Sequence, residues 1–306
     1  METPNKKEYT FSNDTGDAAL TVYEIIPGVQ LVYSSVHMDS FDLSNVTEGN
    51  VIEIHHCREG RIEQAFGDEY FYLMPGDFSI ALKDQIVNSY KFPLKHYHGI
   101  TIGIREDIAD QWLSHFMEDI NVKPLDVAKK LCKEEKCHII RNESYIEHIF
   151  SELYSVPEHI KKGYFKLKIM ELFLILSSIC ATESSAAPPA LPKAHVHLAN
   201  QIASYLSAHM DSHVTIPELS KLFGISETPL KTIFKAVYGI PVFSYMRVQK
   251  MQAAAQVLIY SDRPVADISY EFGYSNTGKF TTAFKKIMGE TPSEYRRAHT
   301  KTHTGK

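Results

Sequence analysis

The sequence predicts a multidomain α+β protein: an N-terminal β-barrel with appended helices, then a C-terminal all-α domain holding two helix-turn-helix units. Three observations predict it. Residues from about 18 to 105 alternate short β-rich runs with turn signals. Residues 106–180 switch to helical periodicity. The stretch Thr215 to Arg297 uses one small motif twice.

The repeat is read residue by residue. Its first copy runs Ile216, Leu219, Gly224, Leu230, Phe234-Lys235, Gly239, and its second Val265, Ile268, Gly273, Phe280, Phe284-Lys285, Gly289. The offset is 49 residues up to the turn glycines (273 minus 224) and 50 beyond them (284 minus 234). Each copy reads as a short apolar helix, a glycine turn and a longer second helix. In the first long helix, Leu230, Ile233, Phe234 and Val237 recur at i, i+3, i+4 and i+7 and form an inward stripe. Thr228, Lys231, Thr232 and Lys235 fall opposite, with Ser226 at the N-cap position. In the second, Phe280, Ala283, Phe284 and Ile287 face inward. Thr277, Gly278, Thr281, Thr282 and Lys285 face outward, and Ser275 or Asn276 can cap. Small hydroxyls to reach base edges and cations for phosphates are what a helix in the major groove needs. A solvated face on an ordinary helix would look similar once, but the duplication favours DNA.

These residues resemble the DNA-binding domain of the AraC/XylS transcription regulators. The likeness covers the last third of the chain and includes the closing pattern Gly289, Thr291, Pro292, Tyr295 and Arg296. It implies two helix-turn-helix units joined by a long helix, here about Val242 to Ser261, with both recognition helices on one side of the duplex. Its base-reading positions map onto Thr228, Lys231 and Thr232, and onto Thr277, Gly278 and Thr282. Ser226 and Asn276 flank these sets, while Lys235, Lys285, Lys286, Arg296 and Arg297 are expected on phosphates. Two positions depart from the pattern. Lys250 stands where many members have arginine, and Gly278 offers no side chain to a base.

Charge supports this division. Residues 195–306 hold 13 Lys+Arg and 8 Asp+Glu, a net of +5; residues 1–194 hold the other 19 and 29, a net of −10. A basic C-terminal third fits a phosphate-contacting module. The overall composition, 44% hydrophobic and 23% charged, is that of an ordinary globular chain. Cys57, Cys132, Cys137 and Cys180, with no export-type apolar run at the start, lead us to expect a reducing cytoplasm. The most apolar run, Leu167 to Cys180, is too short to span a bilayer and carries Lys168 and Glu171.

In chain order, residues 1–17 are polar and expected to be loosely held. Strands are expected near Val29–Val36, Val51–His55, Gly60–Phe66, Glu69–Leu73, Phe78–Leu82 and Tyr97–Ile104. The turn Met74-Pro75-Gly76-Asp77 resembles those of cupin-like barrels, which many AraC/XylS members carry as effector domains. Helices are expected near Asp107–Asp119, Asp126–Cys132, Glu143–Ser155 and Lys161–Cys180. Residues 182–193, rich in alanine and proline, read as a linker between an N-terminal domain (1–181) and a DNA-binding domain (194–306).

Candidate chemistry is sparse. His96 and His98 share a strand face, as an H-x-H metal pair would, but no glutamate follows at close spacing and no histidine follows Asp77. No metal is therefore assigned. Cys132 and Cys137-His138 lack C-x-x-C spacing, and there is no G-x-S-x-G, P-loop or G-x-G-x-x-G. We thus expect no catalysis and no cofactor. Polar groups on or beside strands, His55, Arg58, Arg61, Tyr90, His96 and His98, are the candidates for a small-molecule effector pocket. Which of them point inward depends on a register the sequence does not give. Ile169, Met170, Leu172, Phe173, Leu174, Ile175 and Leu176 are more apolar than one helix face needs, so they serve either the chain's own core or a homodimer. The expected function is a sequence-specific, effector-modulated transcription regulator whose partners are double-stranded DNA, an effector, a second copy and, if it activates, RNA polymerase. The rival readings are a cupin-type metalloenzyme fused to a DNA-binding tail and a DNA-binding regulator without effector control.

Overall fold

The computed structural model describes residues 5–42, 51–66, 69–83, 89–105, 108–109, 122–132, 137–141, 143–179, 191–212 and 214–299. The chain divides into two compact units, Met1–Pro192 and Lys193–Lys306.

The N-terminal unit is strand-rich. Its strands are β1 (Asn5–Asn13), β2 (Gly16–Ile26), β3 (Val29–His37), β4 (Ser40–Asp42), β5 (Val51–Gly60) and β6 (Ile62–Phe66). They continue with β7 (Glu69–Leu73), β8 (Asp77–Lys83), β9 (Ser89–Lys91), β10 (Tyr97–Arg105), β11 (Cys137–Arg141) and β12 (Leu191–Pro192). Pairing is antiparallel throughout and produces two sheets, one in the order β1-β2-β3-β10-β5-β8-β11 and one in the order β12-β7-β6-β9-β4. The expected single closed barrel is therefore corrected to two separate sheets.

The physical reason is that both faces of the larger sheet are apolar. Alternate residues of its central strands, such as Leu31, Ile54, Ile80, Ile100 and Ile102, point to one core. Among the described residues, the helices α1 (Pro124–Cys132), α2 (Ser144–Leu153) and α3 (Lys161–Ser178) complete that core through Val127, Ile149, Phe150, Phe165, Leu172 and Phe173. The intervening residues, including Val36, Cys57, Ala81 and Tyr97, meet Ile62, Leu73, Tyr90 and Phe92 of the smaller sheet's side in a second core. Period-2 alternation thus feeds two cores from one sheet. Between β7 and β8, the Met74–Asp77 turn closes by Asp77 N–H donating to Met74 O (2.8 Å), with Gly76 at a φ of 83°.

Several expectations are corrected here. Residues 5–13 are strand β1, paired with β2 over its whole length, so this segment is not loose. Cys137–Arg141 is a strand on the edge of the larger sheet, inside a stretch expected to be helical. The segment falls between two expected helices, where no strand is expected because five residues give too short a window for periodicity to decide. The expected helix Asp107–Asp119 lies outside the described residues except at 108–109, and so does most of the linker. The linker's last residues, Leu191 and Pro192, pair with Tyr70 and Glu69.

The C-terminal unit is all helical among the described residues apart from turns. It contains α4 (Lys193–Ala208), α5 (Ile216–Phe223), α6 (Glu227–Tyr238), α7 (Val242–Tyr260), α8 (Val265–Glu271), α9 (Thr277–Met288) and α10 (Pro292–His299). Helix α7 buries residues along its whole length because it serves two bundles. Its first half buries Val242, Tyr245 and Met246, with Tyr245 against Phe234 and Tyr238 (ring centroids 5.3 and 4.6 Å). Its second half buries Met251, Ala254, Ala255 and Leu258 against Ile268, Phe280 and Phe284.

His56 gives the N-terminal unit a pH-dependent contact. Its ring stacks on Phe150 (4.3 Å, 5°) and its Nε2 lies 2.9 Å from Glu147 Oε2. Burial outweighs the carboxylate and pulls the His56 pKa below its ordinary value. A folded value below the unfolded one means that the unfolded chain takes up protons first as pH falls. The stabilisation is therefore fully present above about pH 6.5 and declines below it. Denaturant midpoints measured across this range should fall on the acid side, and His56→Gln should flatten that slope.

Candidate nucleic-acid interface

The two motif copies are repeated down to single hydrogen bonds. In the first, Gly224 ends α5 in the left-handed region (φ 63°), Ser220 Oγ donates to Ile225 O (2.6 Å), and Ile225 N–H donates to Ser220 O (3.1 Å). In the second, Gly273 has φ 77°, Ser269 Oγ donates to Tyr274 O (3.4 Å), and Tyr274 N–H donates to Ser269 O (3.0 Å). Left-handed backbone is where glycine carries least steric cost, so both turns need it. Beyond the turns, Gly239 and Gly289 close α6 and α9 in the same conformation, donating to Lys235 O and Lys285 O. The change of offset from 49 to 50 is one extra residue, Ser275, between Tyr274 and the cap of α9.

The caps differ between copies. Asn276 accepts from Lys279 N–H (3.0 Å), the bond that starts α9. Ser226 occupies the same position before α6, but its side chain makes no cap bond and is exposed. A Cβ at 278 would sit 3.0 Å from Asn276 Oδ1, a tight contact that glycine avoids. The capping geometry therefore favours a residue without a side chain there.

On α6, Thr228, Lys231, Thr232 and Lys235 are all exposed on one face, while Leu230, Ile233, Phe234 and Val237 are buried on the other. On α9, Gly278, Thr282, Lys285 and Lys286 are exposed and Thr277 is half-buried. Two of these groups are already engaged. Lys231 Nζ donates to Glu227 Oε2 (3.2 Å), one turn earlier, and Thr282 Oγ1 donates to Gly278 O (2.9 Å). An exposed i,i+4 ion pair is worth only a few tenths of a kcal/mol, about 0.3–0.5, so Lys231 is readily released to a stronger anion. Sequence reasoning missed Lys279. It is exposed on the face of Thr282 and Lys286, and the i, i+3, i+7 spacing is the signal that finds it.

Arg296 sits differently from its expected place on phosphate. Its Nε donates to Leu258 O (3.2 Å) and its Nη2 to Arg263 O (2.6 Å), so the guanidinium ties α10 to the end of α7. The rest of the closing pattern is also structural. Thr291 and Glu294 form a capping box for α10, with Thr291 N–H to Glu294 Oε2 at 2.9 Å, and Tyr295 packs edge-on against Phe284 (5.5 Å). Lys250 has a structural role too: its Nζ donates to Ser212 O (3.5 Å), and a Cβ on Gly273 would sit 3.3 Å from it.

The effector candidates fall on opposite faces of the larger sheet. His55 and Tyr90 lie between the sheets: His55 contacts Glu53 Oε2 (2.9 Å) and Thr101 Oγ1 (3.0 Å), and Tyr90 OH donates to Glu53 Oε1 (2.6 Å). Arg61 is buried elsewhere, over the Tyr72 ring (4.9 Å), on the face opposite Ile62 and Leu73, and burial lowers its pKa to about 10. Arg58 lies on the helix-bearing face over Tyr154 (4.6 Å), and His96 and His98 are on that face as well.

Comparison with known proteins bears on the C-terminal unit. A helix-turn-helix domain family matches residues 219–298. The C-terminal unit is a helix-turn-helix domain of the AraC/XylS type. The right origin-binding protein of Escherichia coli (strain K12) is 31% identical over 94 residues, which cover 31% of this chain and 32% of that protein. An uncharacterized HTH-type transcriptional regulator of Staphylococcus aureus is 30% identical over 97 residues, 32% of this chain and 13% of that one. Among solved structures, the C-terminal domain of AraT, a response regulator from Geobacillus stearothermophilus, is 25% identical with a TM-score of 0.34, covering 36% of this chain and 91% of that domain. The chain thus spans about a third, or less, of the length of these two curated relatives.

The Arg296 geometry is testable. Arg296→Ala removes two charge-assisted bonds to carbonyls and should destabilise the C-terminal unit by about 2 kcal/mol, whereas Arg297→Ala should leave its unfolding midpoint unchanged. Chemical denaturation followed by circular dichroism distinguishes the two.

Proposed function

We propose that this chain is a sequence-specific DNA-binding transcription regulator. The observation that carries it is the pair of equivalent helices, α6 and α9, each set by the same turn and each exposing hydroxyls and lysines opposite a buried apolar stripe. The names of its relatives, an origin-binding protein and transcriptional regulators, support the same function.

In this proposal α6 and α9 enter successive major-groove segments about one helical turn apart. Thr228, Lys231, Thr232, Thr277 and Thr282 face bases, with Ser226 and Asn276 at the helix starts. Lys235, Lys279, Lys285, Lys286 and Arg297 neutralise phosphates. The N-terminal unit is the regulatory half, a cupin-like sandwich taking a small-molecule effector between its sheets, where His55 and Tyr90 supply polar groups among apolar walls. A second copy binds through α3. That helix keeps Ile169, Leu172, Phe173 and Leu176 for its own core but leaves Leu167 (64%) and Leu174 (45%) exposed two turns apart. If the protein activates transcription, RNA polymerase is the further partner.

The deciding experiment is binding of the full-length protein to its own upstream intergenic DNA, against random competitor, over a salt series. Competitor-resistant binding with a steep salt slope is expected, and sequence-blind binding at every salt concentration would overturn the proposal. Lys231→Ala should weaken specific binding by about 1–3 kcal/mol and random-DNA binding less. Lys285→Ala with Lys286→Ala should reduce the logarithmic salt slope by about 2. For the second copy, Leu167→Glu with Leu174→Glu should shift the sedimenting species from dimer to monomer while the circular-dichroism spectrum stays that of the folded chain.

A further inference from the structure

Strand pairing brings together three histidines that are far apart in sequence. β3 and β10 run antiparallel with Val36 opposite Tyr97 and Ser35 opposite His98, so His37, at the end of β3, lies beside His96. His96 and His98 are two residues apart and share that face. The three rings form a nearly regular triangle: His37–His96 5.4 Å, His37–His98 5.3 Å and His96–His98 4.9 Å between centroids. One nitrogen from each lies within 4.8 Å of the others.

We propose that His37, His96 and His98 form a binding site for one divalent transition-metal ion of the zinc type. Imidazole donors without thiolates suit zinc, copper or nickel better than calcium or magnesium. Three nitrogens each about 2.0–2.1 Å from a tetrahedral ion stand roughly 3.4 Å apart, against the 4.8 Å within which these nitrogens already lie. Three protein ligands leave a fourth position open to water or another small ligand. Glu59 is the neighbour able to fill or support it: it pairs with His98 across β5 and β10, and its Oε2 is 3.5 Å from His96 Nε2.

Two further observations support the site. His98 Nε2 is buried and has no hydrogen-bond partner among the described residues, an arrangement that costs free energy unless a ligand completes it. The backbone beneath is fixed. Arg61 N–H donates to His96 O (3.2 Å), and Gly60 is pressed so close that a Cβ there would fall 1.9 Å from His96 O. The site is also distinct from the space between the sheets. Tyr97 and Val36, next to the histidines in sequence, point into that space, so the histidines point away from it.

The test uses tag-free, chelator-stripped full-length protein titrated with zinc chloride by calorimetry, with metal analysis after desalting. One zinc ion per chain and a rise in unfolding temperature are expected, since an ion held by two strands stabilises the folded state. His37→Ala with His98→Ala should abolish this site, and either single change should weaken it at least ~10-fold. His195→Ala with His197→Ala, on helix α4, should change nothing. Should the double variant misfold, His37→Gln at its exposed position should still weaken zinc binding at least ~10-fold. A parent protein that takes up no zinc, or a histidine variant that takes it up unchanged, would overturn the proposal.

Discussion

The left-handed turn between the helices of each motif is the constraint on which the C-terminal unit depends. At Gly224 and Gly273 the chain must take a backbone conformation that side chains resist, and a serine hydroxyl one turn earlier locks it by reaching across to a carbonyl. These bonds fix the angle at which α6 and α9 leave the turn. Everything outward on those helices inherits its direction from two glycines and two serines. The buried stripes of the same helices then hold them on α7, whose buried residues at both ends are explained by having two bundles to serve.

The N-terminal unit rests on a different principle, the alternation of a strand. One sheet gives every second residue to the helices and every other residue to the smaller sheet. Polar groups that look equivalent in sequence are separated by this parity. His55 is sealed with Glu53 and Tyr90 between the sheets, whereas His56, one residue on, stacks under helix α2. No surface or pocket role can be shared by such neighbours, whatever their chemistry.

Much of this was legible in the sequence where a short window carries the signal. The double motif, its inward stripes, its cap positions and the long connecting helix all depend on residues within a few turns of one another. The structure adds the tight contact at Gly278 and moves Arg296 from the surface to a helix clamp, because both depend on contacts the sequence does not order. The sheet was less legible. Strand β11 hides between helices, β1 looks like a polar tail, and the third histidine beside His96 and His98 comes from β3, brought there only by register. A search along β10 for another ligand looks in the wrong dimension.

The polar tail that proves to be a strand has one more consequence. In the order of the larger sheet β1 comes first, and nearly all its residues are exposed, with Lys6, Lys7 and Glu8 clustered at its start. An open strand edge invites other chains to add on, and lysine is the residue that most effectively discourages it. Among the described residues β1 has no partner on its outer side, so its lysines stand where added strands would otherwise pair.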